Sequence, residues 1–147
     1  MSKVTIIENK YTSIFFDEDL ELYEQYWYPE SEDMEEEEYK ETITYMLEYI
    51  TEKNYVLLNY LLDNRDFLFS MSPEMQEWQA SNVASVLVKL LEKQGQSPQD
   101  IKTAIITSED FISQLSIEQA MEENEVSELT TRYFEDEQEA REWLLDV

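Results

Sequence analysis

The sequence sets two carboxylates, an amide and a guanidinium side by side at Asp63, Asn64, Arg65 and Asp66. Two such acids can hold a hard cation such as magnesium, or one can serve as a base. They follow a long apolar run, Tyr55 to Leu62, and open α/β sheets bind ligands just past the carboxyl ends of their strands. The plainer reading is that Asp63, Arg65 and Asp66 cap a loop and pair with one another, since no metal-loop spacing is present. Ser70 and Ser72 lie a little farther on. Ser72 precedes Pro73, which is the arrangement of a helix N-cap; a regulatory hydroxyl is its alternative role.

The chain has no cysteine and no histidine. Disulfides, thiol nucleophiles, zinc sites of the Cys/His type, Ser-His-Asp triads and histidine acid-base chemistry are therefore excluded. Catalysis would have to use carboxylates, Tyr, Lys, Arg or Ser, and no cofactor is expected. Ten Lys and Arg stand against 35 Asp and Glu, a formal charge of -25. Such a surface repels phosphate backbones and anionic headgroups, so neither nucleic acid nor membrane is an expected partner. Solubility is the plain reason for the excess; docking on a basic protein, or acting as a decoy for a DNA-binding one, is narrower. The N-terminus lacks the apolar core of a signal peptide, and no run approaches the ~20 apolar residues of a membrane helix, which makes the cytoplasm the expected location.

What would position these residues is a layered α/β domain. With 147 residues, 42% of them hydrophobic, one domain with a real core is expected over 1–147. Val4 to Ile7, Ser13 to Phe16 and Leu20 to Trp27 read as antiparallel strands, with a turn at Asp17-Glu18-Asp19 and a stop at Pro29. Tyr39, Ile43, Met46, Leu47 and Ile50 make one face of a helix begun by the acidic run Glu35 to Glu38, with Asp33 and Glu36 as a capping box. Tyr55 to Leu62 is apolar at nearly every position, as expected of a strand covered on both faces at the middle of a sheet. Pro73 opens a second long helix whose inner stripe runs from Met75 to Leu91 and which Gly95 ends. Thr103 to Ile106 and Leu129 to Phe134 are further strands, Ser116 to Gln119 caps a brief helix, and Asp136 caps the last. Strands alternating with helices imply crossovers and parallel neighbours. The expected fold is a mixed sheet, antiparallel at its N-terminal end, flanked by about four helices.

Aromatic side chains crowd the first hairpin and first helix: Tyr23, Tyr26, Trp27, Tyr28, Tyr39 and Tyr45. They can line an apolar ligand cavity or form an interaction face. The expectation preferred here is that they close the open face of the sheet, because periodicity already turns several inward.

Phe16-Asp17-Glu18 to Tyr26-Trp27, the strand ending Leu61-Leu62-Asp63-Asn64-Arg65, the helix start Ser72-Pro73-Glu74 to Trp78, and the closing Tyr133-Phe134 to Trp143-Leu144 together resemble the STAS-like (SpoIIAA-like) family. That is the fold of bacterial anti-sigma-factor antagonists and of the cytoplasmic domain of sulfate transporters, and the likeness covers nearly the whole chain. It implies a regulatory module and, in such regulators, a phosphorylated serine in an Asp-Ser-Ser-Gly-like motif after the central strand. Asp63-Asn64-Arg65-Asp66 has neither serine nor glycine, which leaves Ser70 and Ser72 as the serines to consider. The leading expectation is a non-enzymatic, cytoplasmic regulatory or interaction module that binds a protein partner, a basic one or a second copy as a homodimer. The alternative is a carrier or sensor of a small apolar ligand, and a carboxylate and magnesium enzyme at Asp63 and Asp66 comes third.

Overall fold

The computed structural model describes residues 3–69, 72–97, 100–107 and 131–145. Ser70, the brief helix expected after Ser116, and Leu129 and Thr130 of the last expected strand lie outside the described residues. Among the described residues six strands form one sheet in sequence order: β1 (Lys3–Glu8), β2 (Thr12–Asp17), β3 (Leu22–Trp27), β4 (Asn59–Asp63), β5 (Lys102–Ile106) and β6 (Thr131–Phe134). The first two pairings are antiparallel and the last three parallel, so the sheet is mixed as expected.

The hairpin between β2 and β3 is turned by Asp17, whose Oδ1 accepts the N–H groups of Asp19 (3.0 Å) and Leu20 (3.2 Å). Glu21 then takes a positive φ of 51°, and pairing starts at Leu22 rather than at Leu20, which stays exposed. After Pro29 a 3-10 turn (Pro29–Asp33) leads into helix α1 (Glu36–Lys53). Its capping box is shifted two residues from the expected Asp33 and Glu36: the Glu35 N–H donates to the Glu38 carboxylate at 3.0 Å. Asp33 is occupied in the 3-10 turn, so Glu35 is the first residue free to serve as cap.

Strand β4 begins at Asn59, four residues later than the apolar run suggests. Parallel pairing fixes this, because the register sets Leu22 of β3 opposite Asn59 and leaves residues before Asn59 without a partner strand. Tyr55 and Leu57 instead pack into the core beneath α1. The strand lies between β3 and β5 with Leu61 fully buried, so its interior position is as expected.

Helix α2 (Pro73–Gln79), a π-helical segment (Ala80–Ala84) and helix α3 (Ser85–Lys93) follow one another where the sequence suggests a single regular helix. Ser72 Oγ accepts the Met75 N–H at 3.2 Å, the expected N-cap. At the far end Gly95 has φ of 75°, and the Gln96 N–H returns to the Leu91 carbonyl at 2.8 Å, closing the helix in the glycine-dependent manner expected.

The crossovers β3-α1-β4 and β4-α2-α3-β5 step the same way along the sheet, and their helices share one face. Helix α4 (Glu137–Leu145) follows β6 and covers the other, burying Ala140 and Leu144 against Leu22, Leu61, Ala104 and Ile106. Its start is fixed by Asp136, whose Oδ1 accepts the Gln138 N–H at 3.2 Å. Among the described residues no helix is long and apolar enough to cross a membrane.

Candidate functional site

Side chains of a strand alternate between the two faces of its sheet. In β3 this sends Tyr23, Gln25 and Trp27 toward α1 and α2, and Leu22, Glu24 and Tyr26 toward α4. The first set is buried under the helices, where the packing is incomplete. Between the sheet and the helices lies a partly open cavity of about 270 Å³. Its floor is built by register: Tyr23 lies opposite Tyr60 and Tyr60 opposite Thr103, with Gln25 opposite Leu62 in the next row. Tyr39, Ile43 and Met46 of α1 form one wall, and Gln79, Val83 and Leu87 the other.

The second wall depends on the π segment. Each step of four residues in an α-helix overshoots a full turn by about 40°, so three steps would rotate Leu87 roughly 120° away from Met75. An i→i+5 segment is wider and takes up that excess. Met75, Gln79, Val83, Leu87 and Leu90 consequently stay on the sheet side, with Met75 and Leu90 buried and the middle three at the cavity. The aromatic expectation is thus corrected in part. Tyr23, Trp27 and Tyr39 are buried over that face of the sheet as expected, and the same rings border the cavity, because the neighbouring Gln, Val and Thr side chains are too small to fill the space between them. Tyr26 faces α4 and Tyr45 is exposed.

No described residue lining the cavity is charged, in a chain 31% charged overall. The Tyr23 hydroxyl donates to Gln25 Oε1 at 3.0 Å, and the Tyr39 hydroxyl donates to Gln79 Oε1. Burial pushes the Tyr39 phenol up to about 12. Tyr23 is driven well above its ordinary value by burial and by the neighbouring Tyr60 and Tyr39, and Tyr60 is raised by burial. These phenols stay protonated at physiological pH and act as hydrogen-bond donors, not as bases or nucleophiles. The arrangement can bind and orient a molecule. Gln25 and Gln79 were not singled out from the sequence, although a signal was there: each is a polar residue set in an otherwise apolar face, between Tyr23 and Trp27 and between Met75 and Val83.

The acidic cluster after β4 is arranged differently. Arg65 clasps Asp63 with Nε at 3.0 Å from Oδ1 and Nη2 at 2.6 Å from Oδ2, and the Arg65 N–H adds a bond of 3.2 Å. Hydrogen bonding to Asp63 raises the guanidinium above its ordinary value despite partial burial, with attraction from Asp63, Glu137 and Asp66 adding to it. Asp63 is therefore engaged on both oxygens. Asp66 is exposed; its carbonyl accepts Ser31 Oγ at 3.1 Å, and Ser31 Oγ in turn accepts the Leu68 N–H at 2.9 Å. Among the described residues no three acidic side chains converge as metal ligands. Asn64 alone of the four borders the cavity, while its N–H reaches the Ile106 carbonyl at 2.9 Å. Ser72 lies apart from this loop, with its Oγ occupied as a cap.

The chain matches no protein-family model, no curated protein and no solved structure. Its own geometry therefore carries the functional reading.

The α4 face packs around a buried ionic knot. Glu24, 1% exposed, bonds to Arg141 Nη2, to Lys3 Nζ at 3.1 Å and to the Tyr26 hydroxyl at 2.7 Å. Burial alone would raise its carboxyl; the hydrogen bonds from Tyr26, Arg141 and Lys3 outweigh that and hold it below the ordinary value. This knot fastens α4 to the sheet.

Proposed function

We propose that this chain is a non-enzymatic, cytoplasmic binding module of STAS-like type that holds a small, largely apolar molecule between its sheet and the α1 and α2–α3 layer. One observation carries the reading: a cavity of about 270 Å³ at a place where amphipathic helices on a sheet would ordinarily leave a packed core. Its lining supports binding over catalysis, since the described side chains there hold their protons near neutral pH. The STAS-like assignment is supported by the antiparallel start, the βα units that follow and the helix begun at Pro73 after the central strand. Native mass spectrometry of protein purified from several hosts tests the function. A retained small molecule, released on denaturation and lost in a Val83→Trp variant that fills the cavity, is the expected result. Uniformly empty protein from every host would overturn it.

A second reading, action through a protein partner, is favoured by the loop after β4. Leu68 is 48% exposed there beside Arg65 and Asp66, on backbone pinned through buried Ser31. A firmly held loop with an apolar tip among charges suits docking on a basic protein or on a second copy. Sedimentation equilibrium addresses the homodimer form: a dimer that Leu68→Asp dissociates supports it, and a monomer at all concentrations counts against it.

A further inference from the structure

We propose that the cavity takes a neutral molecule of roughly ten non-hydrogen atoms, apolar over most of its surface and bearing a hydrogen-bond acceptor such as a ketone, lactone or amide carbonyl. This deepens the binding reading above and rests on it.

Size comes first. An apolar cavity of about 150 Å³ admits benzene, so the 270 Å³ here corresponds to roughly ten or eleven non-hydrogen atoms. A bicyclic ring system or a short branched chain fits within it.

Polarity follows from the two amides. Gln25 is 8% exposed, and the Tyr23 hydroxyl, 3.0 Å from its Oε1, has no other acceptor among the described residues. A buried phenol needs somewhere to place its proton. The Gln25 amide therefore cannot be turned around: its oxygen is spent on Tyr23, and Nε2, with two N–H donors, is the part left without a partner among the described residues. The same reasoning applies to Gln79, whose oxygen takes the Tyr39 hydroxyl proton. The floor and one wall thus each offer unspent amide donors, and the Tyr60 hydroxyl adds a third group able to donate. Asn64 and Thr103 contribute donors and acceptors alike, so donors stay in excess.

Charge sets the last condition. An anion would find donors but no described cation on the cavity wall to offset its lost hydration, inside a protein of formal charge -25. A cation would find no carboxylate among the described lining residues. A neutral acceptor uses the amides without either penalty.

The test is calorimetric titration of the full chain with three aromatic probes within that size: 1-indanone, indane and benzoate. The ketone is expected to bind roughly tenfold more tightly than the hydrocarbon, because indane would displace water from the amide N–H groups without pairing them. The carboxylate is expected to bind at least as much more weakly than the ketone. In Gln25→Leu and, separately, Gln79→Leu, the preference for ketone over hydrocarbon should shrink while indane still binds; Gln79 is only partly buried, so its variant remains informative if the other fails to fold. Indane matching the ketone in the wild type, or the carboxylate equalling it, would sink this inference and leave the cavity-binding reading standing. Failure of all three probes to bind would sink this inference, and with uniformly empty protein in native mass spectrometry the binding reading falls too.

Discussion

The two faces of this sheet are covered by the same means, amphipathic helices, and end in opposite states. On one, β3 contributes Tyr23, Gln25 and Trp27 to a cavity with no charged residue in its described lining; on the other, the alternate residues Leu22, Glu24 and Tyr26 join a packed layer held by a buried carboxylate and Arg141. Neither apolar content nor strand composition separates them. The difference lies in what fills the space opposite the strand. On the α4 side Ala104 and Ala140, both fully buried, let helix and sheet approach closely. On the other side the large rings stand at the edges of the opening, and the residues between them are too short to meet.

The largest effect should come from cutting the ionic knot. Arg141→Leu leaves Glu24 buried with only Lys3 as a charged partner, and removing one member of a buried pair typically costs about 3–5 kcal/mol. Arg141 is 31% exposed, so the lower half of that range is expected, measured as a shift of the urea midpoint. Affinity for a cavity probe should be unchanged in the fraction that remains folded. A parallel loss of affinity would mean that the two faces are not separable.

Enlarging one side chain on each face sharpens the contrast. Ala104→Leu forces extra methylenes into a layer with no room and should cost about 1–3 kcal/mol. Val83→Phe adds a comparable volume to the cavity wall and should fall within about 0.5 kcal/mol of wild type, or stabilise, while blocking the probe. Equal costs at the two positions would show that the cavity closes in solution. Smaller again is the cap that begins the cavity's second wall. Ser72→Ala should lose about 1 kcal/mol by thermal or urea unfolding, whereas Ser72→Asn, an equally good cap that adds no charge beside Glu36, should not. A similar loss in both would argue that the hydroxyl does something other than cap.

Much of this architecture could be read in the sequence because it rests on local chemistry. The Pro73 start, the Gly95 stop, the Asp136 cap and the period of α1 each depend on residues within a turn or two. What escaped depends on partners distant in sequence. The start of β4 is set by where β3 begins pairing, not by the apolar run that precedes Asn59. Glu24 is indistinguishable in sequence from the many surface acids until Lys3 and Arg141, at either end of the chain, are brought to it. The cavity is a mismatch of volumes between elements, which no single segment records. The Asp63 to Asp66 group stood out because its members adjoin in sequence, and that same adjacency lets Arg65 close on Asp63.

Acid should separate the faces by a smaller but more specific effect. The Glu24 carboxyl is held below its ordinary value in the folded protein by Tyr26, Arg141 and Lys3 acting against burial. A group depressed on folding contributes stability that is fully present above its unfolded value, about 4.3 for glutamate, and is lost as pH falls through the folded one. The wild type should therefore lose more stability than Glu24→Gln as pH drops below about 4.3 in urea titrations, the difference isolating this carboxyl from the other acids. Probe affinity of the folded protein should stay level over the same range and up to about pH 9, since the described cavity residues include no carboxylate and burial holds Tyr39 near 12. Affinity that fell with acid in step with stability would place a titrating group at the cavity and undo the division between a neutral face that binds and an ionic face that holds.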